Sequence, residues 1–103
     1  VVRLDKLKVA RAKELRGEII CRLYAYYDKV TPVSSINALL RYRNYNSKED
    51  IKKALHYLSG AKKEFIHVTI NEDDYFASFV QLTPTGINLA EGDISDIGVI
   101  MNG

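Results

Sequence analysis

The chain has 103 residues, the size of one domain, with 47% apolar and 27% charged residues. That balance excludes disordered, collagen-like and low-complexity chains. The net charge of +2 conceals a division: residues 1–63 hold all fifteen Lys and Arg with six acids (+9), and residues 64–103 hold seven acids and no base (−7).

A basic segment of that size points to a polyanionic partner, with a merely solvated charged surface as the alternative. No apolar run approaches the roughly 20 residues a membrane helix needs. No secretory pattern opens the sequence. Cys21 is the one cysteine, so neither an internal disulfide nor a cysteine-based zinc site can form. A soluble, reduced, cytoplasmic chain without a membrane partner is expected.

Residues Val1 to Lys8 form either an arm or the first turns of a helix. From Val9 to Tyr27, Ala12, Leu15, Ile19, Leu23 and Tyr26 recur every three or four residues, one face of an amphipathic helix. Gly17 costs that helix about 1 kcal/mol relative to Ala and marks a close contact or a bend. Thr31-Pro32-Val33 breaks it, because proline disfavours helical backbone at the preceding residue. Ser34 or Ser35 then caps a second helix with Ile36, Leu39 and Leu40 on one face, ending near Asn44. Asn44-Tyr45-Asn46 reads as a turn. Ser47 begins a looser capping box, and a third helix runs to Leu58 or Ala61 with Ile51, Ala54, Leu55 and Leu58 inward. Gly60 is its expected stop.

The period then changes. Phe65 to Ile70 and Tyr75 to Leu82 read as two strands around the polar turn Asn71-Glu72-Asp73-Asp74. Ile66, Val68 and Ile70 would share a face opposite Phe76, Val80 and Leu82. Thr83-Pro84 opens a short last helix, with Ile87 and Ala90 inward and Gly92 at its end. The tail from Asp93 carries Ile94, Ile97, Val99, Ile100 and Met101. It is too apolar to be left in water without reason. It either folds back on its own core or joins a second copy.

The order is mainly helical with a small β-hairpin: helix, extended segment, helix, turn, helix, hairpin, short helix. Ser34 to Leu58 has helix-turn-helix geometry, and the hairpin after it would be a wing. Leu82-Thr83-Pro84-Thr85-Gly86 is similar to the Leu-Thr-Pro-x-Gly stretch that leaves the wing in MarR-like and PadR-like transcription regulators. The chain thus resembles a winged helix-turn-helix domain over residues 9–92, with 93–103 as an apolar tail and the whole of 1–103 as one domain. The resemblance implies a prokaryotic-type regulator, a homodimer, that binds double-stranded DNA through its third helix.

Setting Ile51 and Leu55 inward puts Lys52, Lys53 and His56 on the outward arc, with Lys48 near the start. Lysines hold phosphates, which position a protein without reading sequence. Asn46 and Ser47 sit at the tip of that helix, where base edges are reached. Arg41 and Arg43 on the second helix would hold the DNA backbone. Two features run against the pattern. Glu72, Asp73 and Asp74 make an acidic wing tip, which phosphate repels. Glu49 also lies on the outward arc. A second reading is therefore a winged helix that binds a protein partner with its acidic hairpin and apolar tail.

Enzyme chemistry has no positive sign. Cys21 reads as a packed side chain rather than a nucleophile. His56 and His67 lack ligand-spaced companions, and no phosphate loop or nucleophile elbow appears. No cofactor or metal is expected. Tyr24, Tyr26, Tyr27, Tyr42 and Tyr45 cluster in the first two helices and their turns. They suit a core edge, a dimer contact or an aromatic ligand pocket.

Overall fold

The computed structural model describes residues 5–27, 29–40 and 47–101. Asp5 caps the first helix, its carboxylate accepting from the Leu7 backbone N–H at 2.9 Å. Helix α1 therefore spans Lys6–Ala25, starting before the expected Val9. It buries Leu15, Ile19, Ile20 and Leu23. Tyr26, expected on that stripe, lies past the helix end and is 54% exposed.

The segment after it is extended, as the proline requires, and it also pairs. Strand β1 (Thr31–Pro32) lies antiparallel to β3 (Phe79–Leu82), Thr31 opposite Val80. Proline lacks a ladder donor, and Pro32 accordingly sits on an edge strand. Helix α2 (Val33–Leu40) follows directly, without a serine cap, because the Val33 N–H is already taken by the Ser78 carbonyl at 2.9 Å. Val33, Ile36 and Leu40 are fully buried, whereas Leu39, expected inward, faces solvent. The expected turn Asn44-Tyr45-Asn46 lies outside the described residues.

Helix α3 (Lys48–Ser59) keeps the expected boundaries. The Ser47 hydroxyl oxygen accepts from the Glu49 and Asp50 backbone N–H groups at 3.1 and 3.4 Å. Ile51, Ala54, Leu55 and Leu58 are buried. Each large aliphatic in that row contributes roughly 1.5–3 kcal/mol over exposure.

Strand β2 (Ile66–Thr69) pairs antiparallel with β3, Ile66 opposite Leu82 and Val68 opposite Val80, giving a sheet ordered β1-β3-β2. The returning strand is shorter than expected. Tyr75–Ala77 form a 3-10 turn, because the Asp74 carboxylate accepts from the Phe76 N–H at 3.1 Å and holds the chain out of the ladder. Phe76 thus leaves the expected strand face, and Ile70 beyond the other strand end is 64% exposed.

Helix α4 (Pro84–Ala90) shows why its opening phrase has that composition. The Thr83 side chain accepts from the Gly86 N–H at 3.1 Å and donates to the Glu64 carbonyl. A Cβ on Gly86 would fall 2.0 Å from the Phe65 carbonyl oxygen, so only glycine lets α4 lie against the strand. Leu89 is buried, with Ile87 and Ala90 half-buried against the core.

The tail folds back across α1 and α3. Val99 joins the core and Met101 packs against it, while Ile97 is 88% exposed. The Asp96 carboxylate accepts from the Tyr57 hydroxyl at 2.6 Å, the Lys63 ammonium at 2.8 Å and the Gly98 N–H at 2.9 Å. Arg16 donates to the Gly98 carbonyl at 2.9 Å and stacks 4.1 Å from the Tyr57 ring centre.

Candidate nucleic-acid interface

The hydrophobic row of α3 fixes what the helix shows outward. With Ile51 and Leu55 wholly buried, Lys48, Glu49, Lys52, Lys53 and His56 are exposed. A shallow groove of about 520 Å³ runs between this face and the wing. Glu49, Lys52, Lys53, His56, Val68, Ile70 and Tyr75 are among its lining residues. The exposed Ile70 and the helix therefore form the two walls of one trough.

The structure brings Lys48, Lys52, Lys53 and His56 together on one helix face. Ser47 sits at its tip, but its hydroxyl oxygen is engaged in capping, so its first role is to start the helix. Arg41, Arg43 and Asn46 lie outside the described residues.

Two aromatic residues that the alternating pattern assigns to the returning strand belong instead to this site. The Lys48 ammonium lies 5.1 Å from the Phe76 ring centre and the Lys52 ammonium 5.1 Å from that of Tyr75. The two rings meet edge to face at 5.6 Å. Such cation–π contacts contribute ~0.5–1 kcal/mol each when exposed, and they leave the positive charge in place. They tie the start of α3 to the wing. Burial pushes the Tyr75 hydroxyl above its ordinary pKa, so the ring stays neutral beside the lysine. The sequence holds a usable signal: lysines four apart share a helix face, and Tyr75-Phe76 directly follows the acidic turn.

The acidic turn is built as well as charged. The Asn71 side chain accepts from the Asp73 and Asp74 N–H groups at 3.0 and 3.2 Å. The buried Ser78 hydroxyl accepts from the Asn71 N–H at 2.9 Å. Asp74 is used to cap the 3-10 turn, which accounts for one of the three acids. Glu72 and Asp73 face solvent and remain a repulsive pair for phosphate.

The other sequence candidates fall elsewhere. Cys21 is half-buried between α1 and the tail, and burial pushes its thiol up, away from the thiolate a nucleophile needs. Tyr24 stacks on Tyr27 at 5.8 Å and donates to Glu91 at 2.7 Å, joining α1 to the end of α4. Tyr42 and Tyr45 lie outside the described residues. Among the described residues, no three His, Cys, Asp or Glu side chains gather as a metal site would need. Nor is any described helix long and apolar enough to cross a membrane.

No family model matches the sequence, and no curated protein does. Solved structures do match the fold. A MepR mutant from a multidrug-resistant S. aureus clinical isolate superimposes with a TM-score of 0.62 at 20% identity, over 84% of this chain and 63% of that one. A ZitR mutant from Lactococcus lactis superimposes with a TM-score of 0.55 at 18% identity, over 89% of this chain and 51% of that one. The chain thus spans less than two-thirds of the length of either protein. Among the described residues, four α-helices and a three-stranded antiparallel sheet, in this order, give the chain a winged-helix fold like that of these two structures.

Proposed function

We propose that this chain is the DNA-binding domain of a transcriptional regulator, cytoplasmic and without catalytic activity, that places α3 in the major groove of duplex DNA. The observation that carries the reading is the exposed row Lys48, Lys52, Lys53 and His56 over a wholly buried Ile51 and Leu55. That row gives phosphate contacts along a helix that is otherwise rigidly seated. Arg41, Arg43, Asn46 and Ser47, just before α3 in the sequence, complete the proposed contact set. A homodimer is part of the proposal, since two-fold pairing doubles base contacts at a fixed spacing. Tyr27 and Val30, both more than half exposed, offer apolar surface for it near the end of α1. Ile20, farther back on the same helix, is buried in the domain's own core and offers no such surface.

Fluorescence anisotropy with labelled duplex DNA at two salt concentrations tests the reading. Affinity must fall as salt rises, because neutralised phosphates release counterions. Lys52→Ala with Lys53→Ala should weaken binding to all sequences and flatten the salt slope by about one to two units. Binding that is absent at low salt, or indifferent to salt, rejects it. The protein-partner reading keeps the acidic turn as its surface, but Val99 and Met101 are spent on the domain's own core.

A further inference from the structure

With an acidic wing tip on one side of α3, phosphate contacts to reinforce that helix's own lysines are better sought on its other side. A second groove, about 540 Å³, runs along the other side of that helix, against α1. Lys8, Arg11, Arg16 and Lys53 line it, with Asp50 as the one carboxylate among the described lining residues. Lys8, Arg11 and Lys53 are exposed, so the groove presents a clear excess of positive charge to solvent. Lys53 lines both grooves and so joins the basic face of α3 to the basic side chains of α1.

Arg16 lies over Tyr57, and Lys8 and Arg11, one to two turns earlier in α1, flank Asp50 and Lys53, earlier in α3. The shared groove sets the N-terminal half of α1 beside the N-terminal half of α3, the end proposed to enter DNA. Packed helices lie about 8–10 Å apart, and the major groove is about 12 Å wide. Long basic side chains on a helix packed beside one in the groove can therefore reach the bordering phosphates. Arg16 is fixed there by Gly98 and Tyr57, and its buried Nε has no partner of its own.

We infer that the N-terminal half of α1, through Lys8 and Arg11 with Arg16 behind them, is the backbone clamp of this protein, gripping the phosphates that border α3 on the side away from the acidic wing. The inference rests on the proposed DNA binding. A basic helix then supplies the phosphate neutralisation that the wing tip, with Glu72 and Asp73, does not.

Anisotropy titrations of the full chain over a salt series, with one duplex, test it. Lys8→Ala with Arg11→Ala should weaken binding and lower the salt slope by about two units, close to one for each phosphate no longer neutralised. Lys29→Ala with Lys62→Ala removes the same charge from exposed positions on neither groove and should leave the slope within a few tenths of a unit. Asp50→Asn should tighten binding. Circular dichroism checks that each variant keeps its fold. An α1 variant that matches a DNA-binding wild type overturns this inference alone. Equal losses in the two double variants also overturn it, because net charge would then explain both. A wild type that binds no duplex overturns the proposed function and this inference together.

Discussion

The backbone carbonyl of Ile100 occupies the space that a side chain on Gly17 would need: a Cβ there would fall 1.8 Å from that oxygen. The Ile100 N–H donates to the Lys13 carbonyl at 3.1 Å, so the tail lies directly on the backbone of α1. The glycine in mid-helix is thus a close contact, and its partner is the tail rather than another helix.

Gly17→Ala separates two effects of opposite sign. In an unpacked helix the change would stabilise by about 1 kcal/mol. Here it must push the tail off α1, and a net loss of about 2 kcal/mol is expected, within the usual range for overpacking. Urea denaturation reads the sign. A variant as stable as wild type shows that the tail does not sit on this glycine.

Asp96 gives a pH signature. Burial works to raise its pKa, but hydrogen bonds from Lys63, Tyr57 and the Gly98 N–H outweigh it and hold the carboxyl below the ordinary value. A carboxyl lowered on folding stabilises fully above its unfolded pKa of about 3.9, and that stability is lost as pH falls through the lower folded value. Asp96→Asn should cost about 1 kcal/mol at pH 7, less at high salt. The gap to wild type should shrink over the acid range, as pH falls below about 4. Urea midpoints of both proteins across that range provide the check, and a gap independent of pH contradicts the assignment.

The Thr83 hydroxyl bridges two elements, since it caps α4 and donates to the carbonyl of Glu64 before β2. Thr83→Val keeps the shape and removes both bonds. A loss of about 1–2 kcal/mol is expected, at the upper end for a helix cap because a second bond goes with it. Thermal unfolding by circular dichroism measures it. A change under ~0.5 kcal/mol would mean that the Leu82–Gly86 phrase is held by packing alone.

Glu72→Gln with Asp73→Asn should tighten nonspecific DNA binding by removing charge that opposes phosphate. Asp74 is left in place because its carboxylate caps the 3-10 turn beside Phe76. Anisotropy at low salt gives the comparison. Weaker binding after neutralisation would show that these acids help the interaction, against the arrangement proposed.

Local chemistry made much of this protein legible from its residues. Ser47 ahead of a row at 51, 54, 55 and 58 specifies a capped amphipathic helix. Its outward lysines follow from that period alone. The Leu82–Gly86 phrase worked in the same way, because a cap, a proline at the first helical position and a close-approach glycine are all short-range requirements. Three features needed the folded chain. The 3-10 turn at Tyr75 prevailed over a good strand composition, because the Asp74 cap competes with the ladder. The tail latch joins Arg16 to Gly98 and Tyr57 to Asp96, pairs 82 and 39 residues apart, which no local period encodes. The basic groove between α1 and α3 exists only because the two helices pack against each other. Helical period tells which face of one helix is apolar, but the partner of that face, and the charges that meet at the seam, are decided by the packing of distant segments.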